Sequence, residues 1–315
     1  MMHALRVTDR MKRVPTDLPV ACPVCDGSAA RQKSLFVKQG VSFCRCTGCG
    51  FELVNPRPTA EWLVRHYDRL GDEYFLDERK VQSDFWPSRY DVELLLLGEL
   101  SGDLLDVGCA TGSFVKLALQ AGFRAQGIDL MAPAVAYGRR RFDLPLAIRD
   151  FTDPSIEPAS LDVVTLWATL EHLADPGAFL RQAQRILRPG GAIAVSVPNH
   201  RSLTQRVLGQ RNRYVCIEHL NYFSEKTLSA LLSRHGFAVD RVSTRKINPK
   251  TIIQDVRAKK DEPSCVEALI QDQMGTDNIK TRPLFAGVRV LHGQLERGLG
   301  FIGLGDLLLM RGRKS

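Results

Sequence analysis

The sequence predicts an α/β fold with a doubly wound, seven-stranded sheet. After residue 102, short apolar runs alternate with amphipathic helices, which is the pattern of βαβ units. A glycine-rich turn separates the first run from its helix, and 315 residues with 44% hydrophobic content supply a large core. The expected strands cover 104–107, 124–128, 146–148, 163–166, 192–197, 237–244 and 306–311.

Capping residues mark the ends of the expected helices. Asp175 precedes Pro176, and Ser224 precedes a helix that Gly236 ends. Thr59 is expected to cap the first of two helices that lead from the N-terminal part to the sheet. The expected helices cover 60–70, 88–100, 112–121, 132–141, 176–187 and 225–235.

Charge and cysteine content limit the partners and the compartment. Lys and Arg number 43 against 35 Asp and Glu, and the net charge of +8 suits a phosphorylated small molecule, RNA or a membrane surface. No apolar stretch has the length that spans a bilayer, and residues 1–15 lack the apolar segment of a secretory signal. We therefore expect a cytoplasmic protein without a transmembrane segment, whose paired cysteines bind metal.

A cofactor site is expected where the first strand meets its helix. Gly108 and Gly112, with Ala110 between them, permit a tight turn and close approach of a ligand to the backbone. The loop lacks the Lys followed by Ser or Thr of a phosphate-binding loop. Asp106, just before it, would repel a pyrophosphate and attract a cation. This combination favours S-adenosylmethionine, which carries a sulfonium and an ammonium group and no phosphate.

Further candidate cofactor residues follow the next three strands. Asp129 and Leu130 end the second strand, where a carboxylate can accept hydrogen bonds from both ribose hydroxyls. Asp150 is placed to accept from an adenine amino group while Phe151 packs on the ring. Trp167 follows the fourth strand.

These four strand ends, in this order and spacing, resemble the class I methyltransferase superfamily. The resemblance covers about residues 100–245 and the last strand. It implies a Rossmann-like fold that binds S-adenosylmethionine and transfers its methyl group. The implied cofactor contacts are Asp106, Gly108, Ala110, Gly112, Asp129, Leu130, Asp150, Phe151 and Trp167.

Two CxxC pairs near the N-terminus predict a zinc site. Cys22 and Cys25 form one pair and Cys46 and Cys49 the other, with Gly27 two residues after the first pair and Gly50 directly after the second. Four thiolates form the closed tetrahedral set of a structural zinc ion, in a zinc-ribbon-like module. Cys44 is the alternative to Cys46, but only Cys46 belongs to a CxxC pair followed by glycine.

The segment after the fifth strand predicts the acceptor side of the site. Loops at the carboxyl ends of parallel strands approach the ligand. We expect His219 to act as the base, Glu218 to orient it, and Tyr222 to hydrogen-bond the substrate. Alternatively, His219 and Tyr222 only cap and pack the helix that follows.

Together with the cysteines, this segment resembles the nucleotide-sugar C-methyltransferases. That family places a Glu-His pair near the sugar carbonyl, which implies an anionic, sugar-like or glycan-pathway acceptor. The chain has Cys216 where the family has tyrosine, and 315 residues leave no room for the family's long C-terminal domain. Similar segments occur in shorter bacterial methyltransferases of glycan and lipid pathways.

Two basic or amphipathic segments bear on the partner. Four arginines within 201–213 suit either phosphate or carboxylate groups of a substrate or a solvated face. An apolar stripe within 282–298 packs on the core or, alternatively, lies on a membrane surface and reaches a lipid-linked substrate.

Five segments make up the expected organisation. They are a zinc-binding module (1–58), a helical connector (59–100), the cofactor-binding domain (101–245), a helical insertion (246–300) and the final strand (301–315). Two alternatives to a small-molecule enzyme stay open. One is an RNA methyltransferase with an N-terminal zinc finger, and the other is a non-catalytic cofactor-binding scaffold that recruits a partner.

Overall fold

Two β-sheets organise the protein in the computed structural model, which describes residues 14–76, 78–85, 89–246, 252, 256, 298, 300 and 302–315. The strands are β1 (Gln32–Lys38), β2 (Val41–Cys46), β3 (Glu52–Val54), β4 (Asp103–Val107), β5 (Arg124–Asp129), β6 (Leu146–Ile148), β7 (Leu161–Trp167), β8 (Leu187–Pro198), β9 (Asn221–Tyr222), β10 (Phe237–Arg245) and β11 (Leu307–Lys314). The helices are α1 (Ala60–Phe75), α2 (Glu78–Asp84), α3 (Asp91–Leu97), α4 (Ser113–Gln120), α5 (Ala132–Phe142), α6 (Pro176–Ile186), α7 (Leu203–Leu208) and α8 (Glu225–Arg234).

The larger sheet confirms the predicted seven-stranded, Rossmann-like fold. Its strand order is β10-β11-β8-β7-β4-β5-β6, and β4 to β8 pair in parallel. The sheet is mixed rather than wholly parallel, because β11 runs antiparallel to both β8 and β10. The apolar run that predicts β11 carries no information about direction, which depends on where the chain re-enters the sheet.

The predicted helix caps are present. Thr59 accepts a hydrogen bond from the backbone of Trp62, and the Asp175 side chain accepts one from the N–H of Ala178. The Ser224 hydroxyl caps α8 in a capping box. These side chains satisfy N–H groups that the helices themselves leave without a partner.

The connector between the N-terminal part and the sheet has three helices rather than the expected two. The helix expected over 88–100 is limited to α3, which ends at Gly98 with a φ of 60°. Leu95 is 70% exposed, whereas Leu96 and Leu97 are buried. Helix α2 was not predicted, because its mostly polar sequence has no apolar stripe; Val81 is one of its few buried positions.

The smaller sheet joins the N-terminal part to the middle of the chain. Its order is β1-β2-β3-β9, so that β9 adds an edge to three strands from the N-terminal module. Leu53 pairs with Asn221, and Glu52 pairs with Tyr222. The segment that carries the candidate base is therefore tied to the cysteine module by strand pairing.

Some expectations concern residues outside the described ones. These are the apolar stripe within 282–298 and nearly all of the predicted helical insertion. Among the residues that the structure describes, no helix has the length and apolar character needed to cross a bilayer.

Candidate active site

The loop between β4 and α4 has the geometry of a ligand cradle. Gly108, Ala110 and Gly112 all have positive φ angles, of 76°, 46° and 82°. A Cβ at Gly108 would lie 2.6 Å from the Thr169 hydroxyl oxygen, so this position excludes other side chains. Ala110 adopts the same left-handed region at a cost of about 1 kcal/mol, which is typical of residues held in place at functional sites.

Asp106 is the buried charge beneath this loop. It is 3% exposed, and its carboxylate accepts a hydrogen bond of 2.6 Å from the Thr165 hydroxyl. Burial raises the pKa of Asp106 to about 7, and the negative charge of Asp129 adds to the effect. A cationic ligand would stabilise the ionised form, which is the property expected of a site for a sulfonium and an ammonium group.

Two buried polar atoms near the loop have no hydrogen-bond partner among the described residues. They are the Thr111 hydroxyl oxygen and the indole nitrogen of Trp167. Trp167 is 8% exposed and packs edge-on against Phe114, with ring centroids 5.0 Å apart. Because buried polar groups normally have partners, these atoms are consistent with a ligand at this site.

Two backbone hydrogen bonds fix the Asp129 carboxylate. One carboxylate oxygen accepts from the N–H of Ala110 at 2.7 Å and the other from the N–H of Met131 at 2.8 Å. Burial raises the pKa of Asp129, although these backbone N–H groups oppose the rise. Each oxygen keeps a second lone pair, so the carboxylate can receive two hydroxyls. The neighbouring Leu130 side chain is 69% exposed.

Of the two candidate residues after β6, Asp150 is exposed to solvent and Phe151 is buried in the core. Asp150 is exposed and accepts from the backbone and hydroxyl of Thr152, both at 2.8 Å. Phe151 is 2% exposed and packs on Phe179, with ring centroids 5.3 Å apart. Burying a phenyl ring in the core gains about 1.5–3 kcal/mol, which accounts for its packing there. Contact of this ring with adenine stays a prediction.

The four predicted cysteines converge in the N-terminal module. The sulfurs of Cys22 and Cys49 are 3.5 Å apart, those of Cys25 and Cys46 are 3.6 Å apart, and all four lie within 4.8 Å. A zinc ion with bonds of about 2.3 Å places tetrahedral sulfurs about 3.8 Å apart, so the set fits zinc. Cys44 lies outside the cluster, where its thiol donates to the Asn55 carbonyl.

The acceptor-side residues meet beside the glycine-rich loop. A 3-10 turn, Leu170–His172, follows β7, and the Thr169 hydroxyl before it donates to the Val107 carbonyl at 3.2 Å. The His219 ring lies edge-on to His172, with centroids 4.7 Å apart. The structure therefore brings His219 to the carboxyl ends of β4 and β7.

The structure corrects the predicted partner of Glu218. Its carboxylate contacts the Nε2 of His66 at 3.0 Å, whereas the Nδ1 of His219 donates to the Tyr214 carbonyl at 2.8 Å. Burial acts to raise the pKa of Glu218, but the His66 hydrogen bond and nearby charge lower it overall. Glu218 therefore orients His66 rather than His219.

His66 is a site residue that the sequence analysis missed. It lies on α1 and stacks on Trp62, with ring centroids 4.7 Å apart. The four-residue spacing of Trp62 and His66 on one helix face is a weak signal, and nothing in the sequence links it to Glu218, 152 positions away.

The Tyr222 hydroxyl is hydrogen-bonded to the backbone of the acceptor loop. It donates to the Cys216 carbonyl at 2.9 Å and accepts from the Cys216 N–H at 3.2 Å. The side chain is 7% exposed, and its ring packs against Phe43 at 5.6 Å. These contacts agree with the alternative that Tyr222 packs the segment before α8, and a hydrogen bond to the substrate stays a prediction.

The predicted arginine cluster is divided by burial. Arg201, Arg206 and Arg211 are exposed, whereas Arg213 is 8% exposed. Arg206 donates to the backbone carbonyl of Arg201 at 3.1 Å.

Comparisons with known proteins agree with this fold. Residues 82–242, just over half of the chain, match the family model described as a methyltransferase domain. A protein of Mycolicibacterium smegmatis named as an S-adenosylmethionine-dependent methyltransferase is 28% identical over 163 residues, which are 51% of this chain and 62% of the relative. The ubiquinone biosynthesis O-methyltransferase of Idiomarina loihiensis is 34% identical over 114 residues, 34% of this chain and 46% of the relative. The chain therefore spans about half to three-fifths of these relatives.

Solved structures support the fold alone. The [4+2]-cyclase SpnF superposes with a TM-score of 0.54 at 18% identity, covering 82% of this chain and 97% of the cyclase. A methyltransferase of Archaeoglobus fulgidus dependent on S-adenosylmethionine superposes with a TM-score of 0.50 at 18% identity, covering 79% and 100%. On the match over residues 82–242, the chain belongs to the methyltransferase-domain family.

Proposed function

We propose that the protein is an S-adenosylmethionine-dependent methyltransferase that acts on a small, anionic, sugar-like or glycan-pathway acceptor. The observation that carries the cofactor assignment is the buried carboxyl of Asp106 beneath a left-handed loop, beside a doubly anchored Asp129. A buried acid at this place favours a cation over a pyrophosphate. The family match supports the same reaction class.

Each cofactor contact has a distinct proposed task. Asp106 and the loop over 108–112 would hold the methionine part, Asp129 would accept the ribose hydroxyls, and Asp150 would accept from the adenine amino group. Trp167 and Leu130 would line the remaining surface. The bound cofactor supplies an electrophilic methyl group.

The acceptor would bind beside His219. The Nδ1 of His219 donates to a carbonyl, which leaves the Nε2 lone pair for the acceptor proton. The chain must hold the acceptor atom about 3–3.5 Å from the methyl group, in line with the breaking bond. Glu218 does not contact the acceptor in this proposal; its carboxylate orients His66.

The acceptor class rests on charge and resemblance. Arg201, Arg206 and Arg211 are exposed on the segment that precedes the acceptor loop and suit anionic groups. The cysteine pattern favours a structural zinc ion and a reducing, cytoplasmic compartment. An RNA acceptor is the alternative, and binding that falls steeply with salt would favour it.

Thermal melting with added ligand tests the cofactor proposal. S-adenosylmethionine and S-adenosylhomocysteine should both raise the melting temperature, and Asp129→Ala should reduce the shift because the ribose hydroxyls lose their acceptor. Asp143→Ala, on the C-terminal cap of α5, is the matched control and should behave as wild type. A shift with NAD and none with S-adenosylmethionine would contradict the proposal.

A further inference from the structure

Glu171, His172 and His219 form a compact cluster of metal-ligating groups. One ligand atom from each lies within 4.8 Å of the other two. The His172 Nε2 and a Glu171 carboxylate oxygen are 3.8 Å apart. Glu171 is 1% and His219 4% exposed, whereas the His172 side chain keeps 30% of its surface open to solvent. The cluster is therefore buried on one side and accessible on the other.

In both histidines of the cluster, the Nδ1 atom lies beside a backbone carbonyl oxygen. The His172 Nδ1 lies 2.9 Å from the Glu218 carbonyl oxygen, and the His219 Nδ1 lies 2.8 Å from the Tyr214 carbonyl oxygen. The His172 Nδ1 also lies 2.9 Å from the Tyr67 hydroxyl, which can accept as well as donate. Because a carbonyl oxygen only accepts, we assign the proton of each ring to Nδ1 and the lone pair to Nε2. Histidines that bind metals commonly donate their other ring N–H to a carbonyl in this way.

The separation of the ligand atoms suits a metal ion. The His172 Nε2 and the Glu171 carboxylate oxygen are 3.8 Å apart, a distance that an ion with bonds of about 2.0–2.2 Å to each atom can bridge. Glu218, 1% exposed, adds negative charge nearby, and its Oε2 has no hydrogen-bond partner in the described part of the chain.

We propose that Glu171, His172 and His219 bind a divalent transition-metal ion through one carboxylate oxygen and two Nε2 atoms. Two imidazoles and one carboxylate suit ions such as Zn²⁺ and Co²⁺, and three protein ligands leave a position open for an oxygen of the acceptor. This site differs from the four-cysteine cluster, in which four protein ligands close the coordination shell.

The inference deepens the proposed function and rests on it for the acceptor. When the ion is bound, the Nε2 of His219 is a ligand and cannot also take the acceptor proton. The ion would instead lower the pKa of the coordinated acceptor hydroxyl, whose proton would pass to solvent, and His219 would serve the acceptor by holding the ion. The acceptor then belongs to the class of compounds with a hydroxyl or similar oxygen that can enter the open position.

Equilibrium dialysis against Co²⁺ tests the site in the full chain that retains zinc at the cysteines. Wild type should bind one further Co²⁺, with visible d–d absorption and no thiolate charge-transfer band. Glu171→Gln, His172→Gln and His219→Ala should each weaken this binding by at least about tenfold. His235→Ala, at the C-terminal cap of α8, is the control and should bind as wild type.

The outcomes separate this inference from the proposed function. Absence of additional Co²⁺ in wild type, or unchanged affinity in all three ligand variants, would overturn the metal site. The melting shift with S-adenosylmethionine depends on Asp106 and Asp129 and should survive in Glu171→Gln. Its loss in wild type would instead refute the proposed function. Three variants keep the test decisive if one of them fails to fold.

Discussion

Asp106 couples ligand binding to pH at the scale of a single residue. Burial and the nearby Asp129 raise its pKa from 3.8 to about 7. In the folded protein without ligand, the neutral form is therefore favoured below about pH 7, whereas the unfolded chain ionises near 3.8. The Asp106 carboxyl therefore stabilises the fold fully below about pH 3.8, and this contribution falls as the pH rises from 3.8 to about 7.

We expect the affinity for S-adenosylmethionine to fall as pH decreases through about 7, because protonation removes the charge that attracts the cation. The loss should approach tenfold per pH unit below the pKa, as for any binding linked to one proton. Calorimetric titration between pH 5.5 and 8.5 measures it. Asp106→Asn should bind more weakly and with little pH dependence; a strong remaining dependence would assign the titration to another group.

Glu218 and His219 show that residues adjacent in sequence can have separate partners. Glu218 and His219 are neighbours in the chain, but one contacts His66 and the other the Tyr214 carbonyl. The turn that bonds the His219 N–H to the Cys216 carbonyl separates the two side chains. The sequence placed Glu218 and His219 in one loop, but their adjacency in the chain did not predict their separate hydrogen-bond partners.

At the scale of elements, β2 decides which cysteine joins the four-cysteine cluster. Cys44 and Cys46 are two residues apart on one strand, and a strand advances about 6.7 Å over that distance. Only Cys46, at the strand end, lies among the other three sulfurs. Cys44 instead packs in the core with its thiol on the Asn55 carbonyl.

Cys46→Ser should lose one equivalent of zinc relative to wild type, and Cys44→Ser should lose none. Structural zinc contributes on the order of 10 kcal/mol to the folding of its module, so only the first variant should melt at a clearly lower temperature. Elemental analysis of the purified chains provides the measurement. Retention of zinc in Cys46→Ser together with its loss in Cys44→Ser would move the fourth ligand to Cys44.

At the scale of the whole molecule, the N-terminal part holds the acceptor loop. Strand β3 pairs with β9, and the Gln39 side chain accepts from the Ile217 N–H at 2.8 Å. Arg57 donates to the Leu173 carbonyl at 2.8 Å and to the Asn221 side chain at 2.9 Å. The cysteine module is thus a support for the loop that bears His219.

Loss of zinc should therefore loosen the acceptor loop. In Cys46→Ser, amide hydrogen exchange at Ile217 and Val54 should accelerate. The Ile217 N–H donates to the Gln39 side chain and the Val54 N–H donates to the Leu220 carbonyl, so both hydrogen bonds join the module to the acceptor loop. Amides of Leu166 in the central sheet should keep wild-type protection. Cys44→Ser is the control. Unchanged exchange in a zinc-free Cys46→Ser chain would show that the loop is held without the metal.

The sequence by itself determined the features that depend on local spacing. Alternating apolar runs predicted the seven strands of the large sheet, and the CxxC pairs predicted the cysteine cluster. The glycine-rich loop and Asp129 also lie where the strand ends placed them. Each of these follows from residues within about one strand and one turn of each other, where backbone geometry limits the choices.

Only the tertiary structure decided the contacts between distant residues. The direction of β11, the addition of β9 to β3, and the pairing of His66 with Glu218 join parts of the chain that no local pattern connects. The burial of Phe151 and the hydrogen bond from Tyr222 to the Cys216 carbonyl also depend on the packing of separate elements. Packing of separate elements settles such choices, since the free energy depends on partners that the local sequence does not specify.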